Sequence, residues 1–279
     1  MSVRVASDRA HEVDRFAETV AAAVARHPTA DPWRPGAAAS DVLPELEAAL
    51  AAAGWDELAE DPELIGFVAP AAAELGRGFA SLRPIDRLLG GALAVGGRLA
   101  RYAAAGDRLV TPRAGRLELA SAEQVSAVAY ADSLHVTSVE AARPEAAVEG
   151  PLAAARMRSW VAGSVGYLAG VCQEGLRLTL EHTRSRVAFG RPLAALEPVQ
   201  QTLADAAALV EGLRLMTLDE PGADELAYAG DAAVRALSSC QQLTGALGFT
   251  LEFPLQRAYR RVRASRAWTD AVLESWEAS

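Results

Sequence analysis

The sequence predicts a mainly α-helical protein, and three observations carry that expectation. Apolar residues recur at steps of three and four over long stretches, most cleanly at Val199, Leu203, Ala206, Val210 and Leu213, which share one face of a helix. Alanine is abundant and aromatic residues make up only 6%, so few stretches offer the β-branched and aromatic side chains that strands favour. The helical stretches of the C-terminal half are joined by short connections, which implies antiparallel neighbours and a four-helix bundle.

Taken in order, Val13, Phe16, Val20, Ala23 and Val24 form the stripe of a first helix. The segment from His27 to Asp41 breaks it with three prolines and a glycine, and Asp41 is placed to cap a second helix spanning Leu43 to Ala53. That helix ends at Gly54. A third pattern, Leu64 to Ala80, closes at Gly76 and Gly78, and Leu82 to Gly106 reads as one more broken helix. Residues 108–149 change character. Short β-like runs, with Leu134, Val136 and Val139 among them, are separated by turn residues. The four bundle helices are then expected over Ala153–Arg186, Glu197–Leu218, Ala223–Thr244 and Pro254–Trp276. The segments are an N-terminal helical domain at 1–106, a reduced β segment at 107–150 and the bundle at 151–279. Only about forty residues are available to the β segment, enough for a few strands and too few for a barrel-like sheet.

A net charge of −9 argues against a nucleic-acid binder, which needs a basic stripe to meet phosphates. All 27 basic residues are arginine, so neither a P-loop lysine nor a Schiff-base lysine is available. Cys172 and Cys240 lie in apolar helical patterns and read as reduced core residues. The four histidines are scattered and no Glu-x-x-His pair occurs, which removes the di-iron reading of a four-helix bundle. No basic-plus-apolar leader opens the chain, and no apolar run approaches membrane-spanning length; the expected location is the cytoplasm.

Two motifs stand out. The first is Arg186-x-x-Phe189-Gly190-x-Pro192-Leu193, followed by Val199-Gln200 and Leu203-Ala204-Asp205. The second is Gln242-x-x-Gly245-Ala246-x-Gly248-Phe249-Thr250-x-Glu252-x-Pro254, with Tyr259-Arg-Arg-Val-Arg-Ala-Ser-Arg-Ala267 behind it. An arginine at a helix end can grip a phosphate through two parallel hydrogen bonds, and glycines let backbone amides approach a ligand closely. These motifs, with Gly54-Trp55 and Glu74-Leu-Gly-Arg77 upstream in the right order, resemble the acyl-CoA dehydrogenase family over nearly the whole chain. The departures are Leu196-Glu197 in place of the family's Phe-Gln, Ala246 in place of a glycine, and the absence of its WIT-type signature and threonine–glutamate loop.

The resemblance implies an acyl-CoA dehydrogenase-like fold and an FAD-dependent α,β-desaturation of an acyl-CoA thioester. It carries the FAD-contacting positions to Arg186, Phe189, Gly190, Leu193, Gln242, Gly245 and Gly248. The family's catalytic glutamate falls instead on Thr269, with Trp268 as the aromatic before it, or in its rarer position on Trp160. Neither side chain accepts a proton, and Asp270, one residue along, is rotated by roughly 100° on a helix. No catalytic residue is therefore assigned. The expected role is a cytoplasmic subunit that shares FAD with a full-length homologue in an α2β2 heterotetramer, like actinobacterial enzymes that shorten steroid side chains, with no nucleic-acid or membrane partner. An FAD-free interaction protein of the same fold and a non-redox thioester enzyme stay open as alternatives.

Overall fold

The computed structural model describes residues 2–29, 42–128 and 134–278. The proline-rich loop over 30–41, including the expected cap Asp41, lies outside them. Four helices open the chain: α1 (Ser2–Arg26), α2 (Pro44–Ala52), α3 (Ile65–Arg77) and the short α4 (Arg83–Arg87). Single 3-10 turns at Trp55–Ala59 and Pro62–Leu64 carry the chain from α2 to α3. Gly54 sits at φ 92°, a left-handed conformation that lets the chain turn at the end of α2. The turn buries Trp55, whose indole N–H donates to the Pro84 carbonyl at 2.8 Å.

The bundle follows expectation closely. Its helices are α5 (Gly150–Ser185), α6 (Glu197–Met216), α7 (Ala223–Thr244) and α8 (Leu255–Glu277). On α6 the anticipated stripe buries Leu203, Ala206, Val210 and Leu213. Helix α5 is buried over most of its length because it packs on α3 as well as on the other bundle helices.

The seam between α3 and α5 is made of backbone. A Cβ on Gly166 would stand 2.1 Å from the Ala69 carbonyl oxygen, one on Gly170 1.9 Å from that of Ala73, and one on Gly76 2.2 Å from that of Tyr167. Only hydrogen at these positions allows two helices to come so close. Above the seam, α8 contributes two buried arginines. Arg257 donates to the carbonyls of Thr29 (3.0 Å) and Phe79 (2.9 Å), and Arg261 to the Ala80 carbonyl (3.0 Å) and the Tyr167 hydroxyl oxygen (2.8 Å). Guanidinium groups thus join the Thr29 and Tyr167 hydroxyls in supplying donors to carbonyls that follow the ends of α1 and α3.

The β segment departs from expectation. Residues 92–101 are not helical: β1 (Ala92–Val95) and β2 (Leu99–Arg101) join β3 (Arg108–Arg113), β4 (Arg116–Ala127) and β5 (Val136–Pro144). The order β1-β2-β5-β4-β3 closes on itself, with β1 parallel to β3 and the other pairs antiparallel. A barrel therefore does form, because two strands come from the segment assigned to the N-terminal helical domain. It is narrow, and its inner cluster is mostly alanine: Ala92, Ala94, Ala100, Ala103 and Ala122 with Leu109. Small side chains fit a small lumen, while alanine's helical preference hides the strands. The β3–β4 hairpin turns at Ala114 and Gly115, both at positive φ, the geometry of a type I′ turn. Its two amides donate to the Ser275 and Trp276 carbonyls at the end of α8, which ties barrel to bundle.

A second tie is ionic and fully buried. Asp86 of α4 and Arg101 of β2 are 0% and 1% exposed and share two hydrogen bonds, one of them Nε to Oδ2 at 3.1 Å. Trp160 of α5 donates its indole N–H to Asp86 Oδ1 at 3.3 Å, and the Arg101 guanidinium lies 5.2 Å from the Trp268 ring centroid on α8. Burial pushes the Asp86 carboxyl above its ordinary range while Arg101 pulls it back. Four elements meet at this pair.

Three outcomes are expected in chemical denaturation. Gly170→Ala lowers the unfolding free energy by about 1–3 kcal/mol, whereas Gly212→Ala, where a Cβ on α6 meets nothing within 4 Å, raises it by about 0.5–1 kcal/mol. Asp86→Asn leaves Arg101 buried beside a neutral amide and costs about 3–5 kcal/mol, with a matching fall in the denaturation midpoint.

Candidate functional site at the end of the bundle

The first motif sits where α5 ends. Arg186 caps the helix in extended conformation, its amide donating to the His182 carbonyl at 2.8 Å. The chain then makes a hairpin absent from the sequence reading: β6 (Val187–Ala188) pairs with β7 (Arg191–Pro192). The Leu193 amide donates back to the Arg186 carbonyl at 2.8 Å, so half-buried Leu193 helps hold the arginine's backbone in place. Phe189 and Gly190 form the two-residue tip, at φ 52° and 76°. Asparagine–glycine usually fills such a tip. A phenylalanine at positive φ is strained, and this ring is also 91% exposed.

Arg186 itself is exposed and has no ion pair among the described residues. Beside it, His182 packs on Phe253 with ring centroids 5.8 Å apart. Burial, and then the positive charge of Arg186, lowers the His182 pKa, which favours the neutral imidazole. The ring contact also brings the second motif close, because Phe253 belongs to the turn that follows α7. With α6 running back between them, α5 and α7 are parallel, and their C-termini lie at one end of the bundle.

In that second turn Gly245 adopts φ 59°, ψ −144°, a region in practice reserved for glycine, and a Cβ there would meet no atom within 4 Å. The open side leaves its backbone approachable. Gln242 is exposed next to it. Gly248 is different: it is buried, and a Cβ would fall 2.1 Å from the Thr244 hydroxyl oxygen. Its lack of a side chain serves packing. A residue passed over in the sequence, Gln241, locks the turn by donating to the Gly248 carbonyl at 3.2 Å. Phe249 and Leu251 add exposed apolar surface, 67% and 42% accessible.

The positions aligned with the family's base lie elsewhere and are closed. Trp160 is buried on Asp86, and buried Thr269 donates its hydroxyl to the Arg266 carbonyl at 2.9 Å. Asp270 faces the partly exposed Arg266 at 3.5 Å, and Arg266 also pairs with Asp231 at 2.6 Å. Between barrel and α8 lies a hollow of about 600 Å³, bounded by Val95, Leu99, Val136, Ala264 and Trp268, and Arg263 is its charged member. None of its lining residues is a carboxylate. Sequence reasoning missed Asp86, although an aspartate within Pro-Ile-Asp-Arg-Leu-Leu, set among four apolar residues that are all buried, was the available signal.

Among the described residues no helix is long and apolar enough to cross a membrane, and no group of three or more His, Cys, Asp or Glu is placed to hold a metal ion. Residues 146–220 match the acyl-CoA dehydrogenase C-terminal domain. The chain is 33% identical over 113 residues to cyclohex-1-ene-1-carbonyl-CoA dehydrogenase of Geobacter metallireducens, covering 36% of this chain and 30% of that protein. It is 30% identical over 118 residues to the human mitochondrial short-chain specific acyl-CoA dehydrogenase, covering 38% and 29%. The matched region thus spans about 30% of these relatives' length. Among solved structures, the ChsE4-ChsE5 complex from Mycobacterium tuberculosis superposes with a TM-score of 0.69 at 18% identity, over 92% of this chain and 93% of that one. The Tcur3481-Tcur3483 steroid ACAD gives 0.68 at 16%, over 93% of each chain. Identities this low establish the fold, and the match over residues 146–220 adds one domain: the chain has the acyl-CoA dehydrogenase fold and carries a segment that matches that family's C-terminal domain.

Proposed function

We propose that the chain is a subunit of an FAD-dependent acyl-CoA dehydrogenase, contributing contacts to an FAD shared with a full-length homologue in an α2β2 heterotetramer. The observation that carries this reading is the hairpin tip after α5. Phe189 is held in strained backbone with its ring in water, next to an arginine without an acidic partner among the described residues. Strain and apolar exposure at one point gain nothing inside this chain, and such features concentrate where a ligand or partner docks.

The residues present fit the cofactor's polar half. Arg186 offers a planar fork for a pyrophosphate, Phe189 a flat face for a ring, and Gly245 and Gln242 a backbone and an amide with open space before them. Gly190, Leu193 and Gly248 shape the two turns. FAD, when bound, supplies the acceptor for the hydride leaving the thioester's β carbon. The α-proton needs a carboxylate in a dry pocket, and the two aligned positions, Thr269 and Trp160, are a hydroxyl and an indole. The base and the thioester site are therefore assigned to the partner. Structural likeness to two assemblies whose names each join two chains, one of them a steroid ACAD, supports a heteromeric partner and a steroid side-chain thioester as substrate. The two buried free cysteines accord with a reducing cytoplasm.

Purification tests the reading. The isolated chain is expected to carry little flavin absorbance, and a complex with a full-length homologue to carry it and to reduce a dye when given an acyl-CoA. In that complex Arg186→Ala is expected to weaken FAD retention at least tenfold, about 1.4 kcal/mol or more, while the melting temperature of the isolated chain stays nearly the same because the exposed Arg186 side chain makes no hydrogen bond or ion pair among the described residues. A lone chain that holds a full complement of FAD and desaturates thioesters by itself would overturn the proposal.

A further inference from the structure

At the other end of α5 a cavity of about 400 Å³ opens where that helix meets the Trp55–Ala59 turn, α4 and the starts of β1 and β3. Its walls carry four guanidinium groups, and three are matched. Arg87 pairs with Asp56, Arg83 with Asp107 (3.4 Å) and Glu47 (3.6 Å), and Arg108 with Glu145 (3.2 Å). The fourth, Arg156, has no ion pair or hydrogen bond among the described residues, and its Nε is sealed from solvent without a partner. The fold makes room for it. A Cβ on Gly90, which sits at φ 106°, would lie 2.6 Å from Arg156 Nη1. A half-buried guanidinium with no acceptor among the described residues is costly to keep unless something else supplies one.

We infer that this cavity is a binding site for a phosphate or pyrophosphate group, gripped by Arg156. The volume is that of a small-molecule site rather than of a single ion. A carboxylate would fill one guanidinium fork and stop there. A phosphoryl group offers three oxygens, enough to accept from Arg156 and from the spare N–H groups of Arg87 and Arg108 on the facing walls. Glu60, exposed at the rim and without an ion pair among the described residues, sets a limit on how much negative charge enters. The site does not depend on the FAD reading. Arg156 and Arg186 are thirty residues apart along α5, about 45 Å at 1.5 Å per residue.

Isothermal titration of the full chain with inorganic pyrophosphate, orthophosphate and acetate tests the inference. Saturable one-site binding is expected for pyrophosphate, with orthophosphate weaker and acetate undetectable. Arg156→Gln should weaken pyrophosphate at least tenfold, Glu60→Gln should tighten it two- to fivefold, and Arg186→Ala should leave it unchanged. Saturable orthophosphate at equal strength would identify free phosphate as the occupant within the same chemistry. Heats that never saturate, acetate binding as well as pyrophosphate, or full affinity in a folded Arg156→Gln variant would each overturn the proposal. So would loss of binding in Arg186→Ala, which would move the anion to the other end of the helix.

Discussion

The buried Asp86–Arg101 pair is the constraint on which the arrangement of this molecule rests. Two charges withdrawn from water cost several kcal/mol each, and such a pair persists only with good geometry and further hydrogen bonds. Here α5 supplies the further donor through Trp160, and α8 covers the guanidinium with the face of Trp268. Moving the barrel relative to either helical layer would strand a charge. Trp160, one of the two positions that the resemblance aligns with the family's base, is thereby built into the joint between the domains.

The helices of the C-terminal half were legible because they are long and their apolar spacing is regular. The third bundle helix lies at the expected Ala223–Thr244, and α5 runs Gly150–Ser185 against an expected Ala153–Arg186. Strands β1 and β2 were illegible for a definite reason. Ala-Leu-Ala-Val and Leu-Ala-Arg are short and rich in a helix former, and they become strands only because Leu109, Val110 and residues 136–138, distant in sequence, pair with them. Nonlocal hydrogen bonding overrides local preference. At the candidate site the motifs showed which turns matter but not how they work. Phe189 and Gly190 stand out as motif residues, yet the left-handed backbone under the ring is visible only in three dimensions. Gln242 was singled out, while its neighbour Gln241 holds the loop.

Composition and architecture explain each other. Alanine and glycine let α3 and α5 approach to backbone contact and let five strands close on a thin lumen. Thin layers leave few places to hide polar ends of turns, and the chain meets that need with arginine. Arg257 and Arg261 reach across from α8 to the carbonyls of residues 29, 79 and 80. A lysine ammonium lacks the planar fork that serves two acceptors at once. The absence of lysine from the sequence and the carbonyl-capping arginines of the core are thus consistent with one another.

The exposed ring at the tip of the α5 hairpin has a thermodynamic corollary. A molecule that covered Phe189 in the folded chain and not in the unfolded one would draw the folding equilibrium toward the native state by mass action. The persistence of the fold would then be partly a property of the surrounding solution, and dilution away from that molecule would loosen a chain whose own internal contacts had not changed.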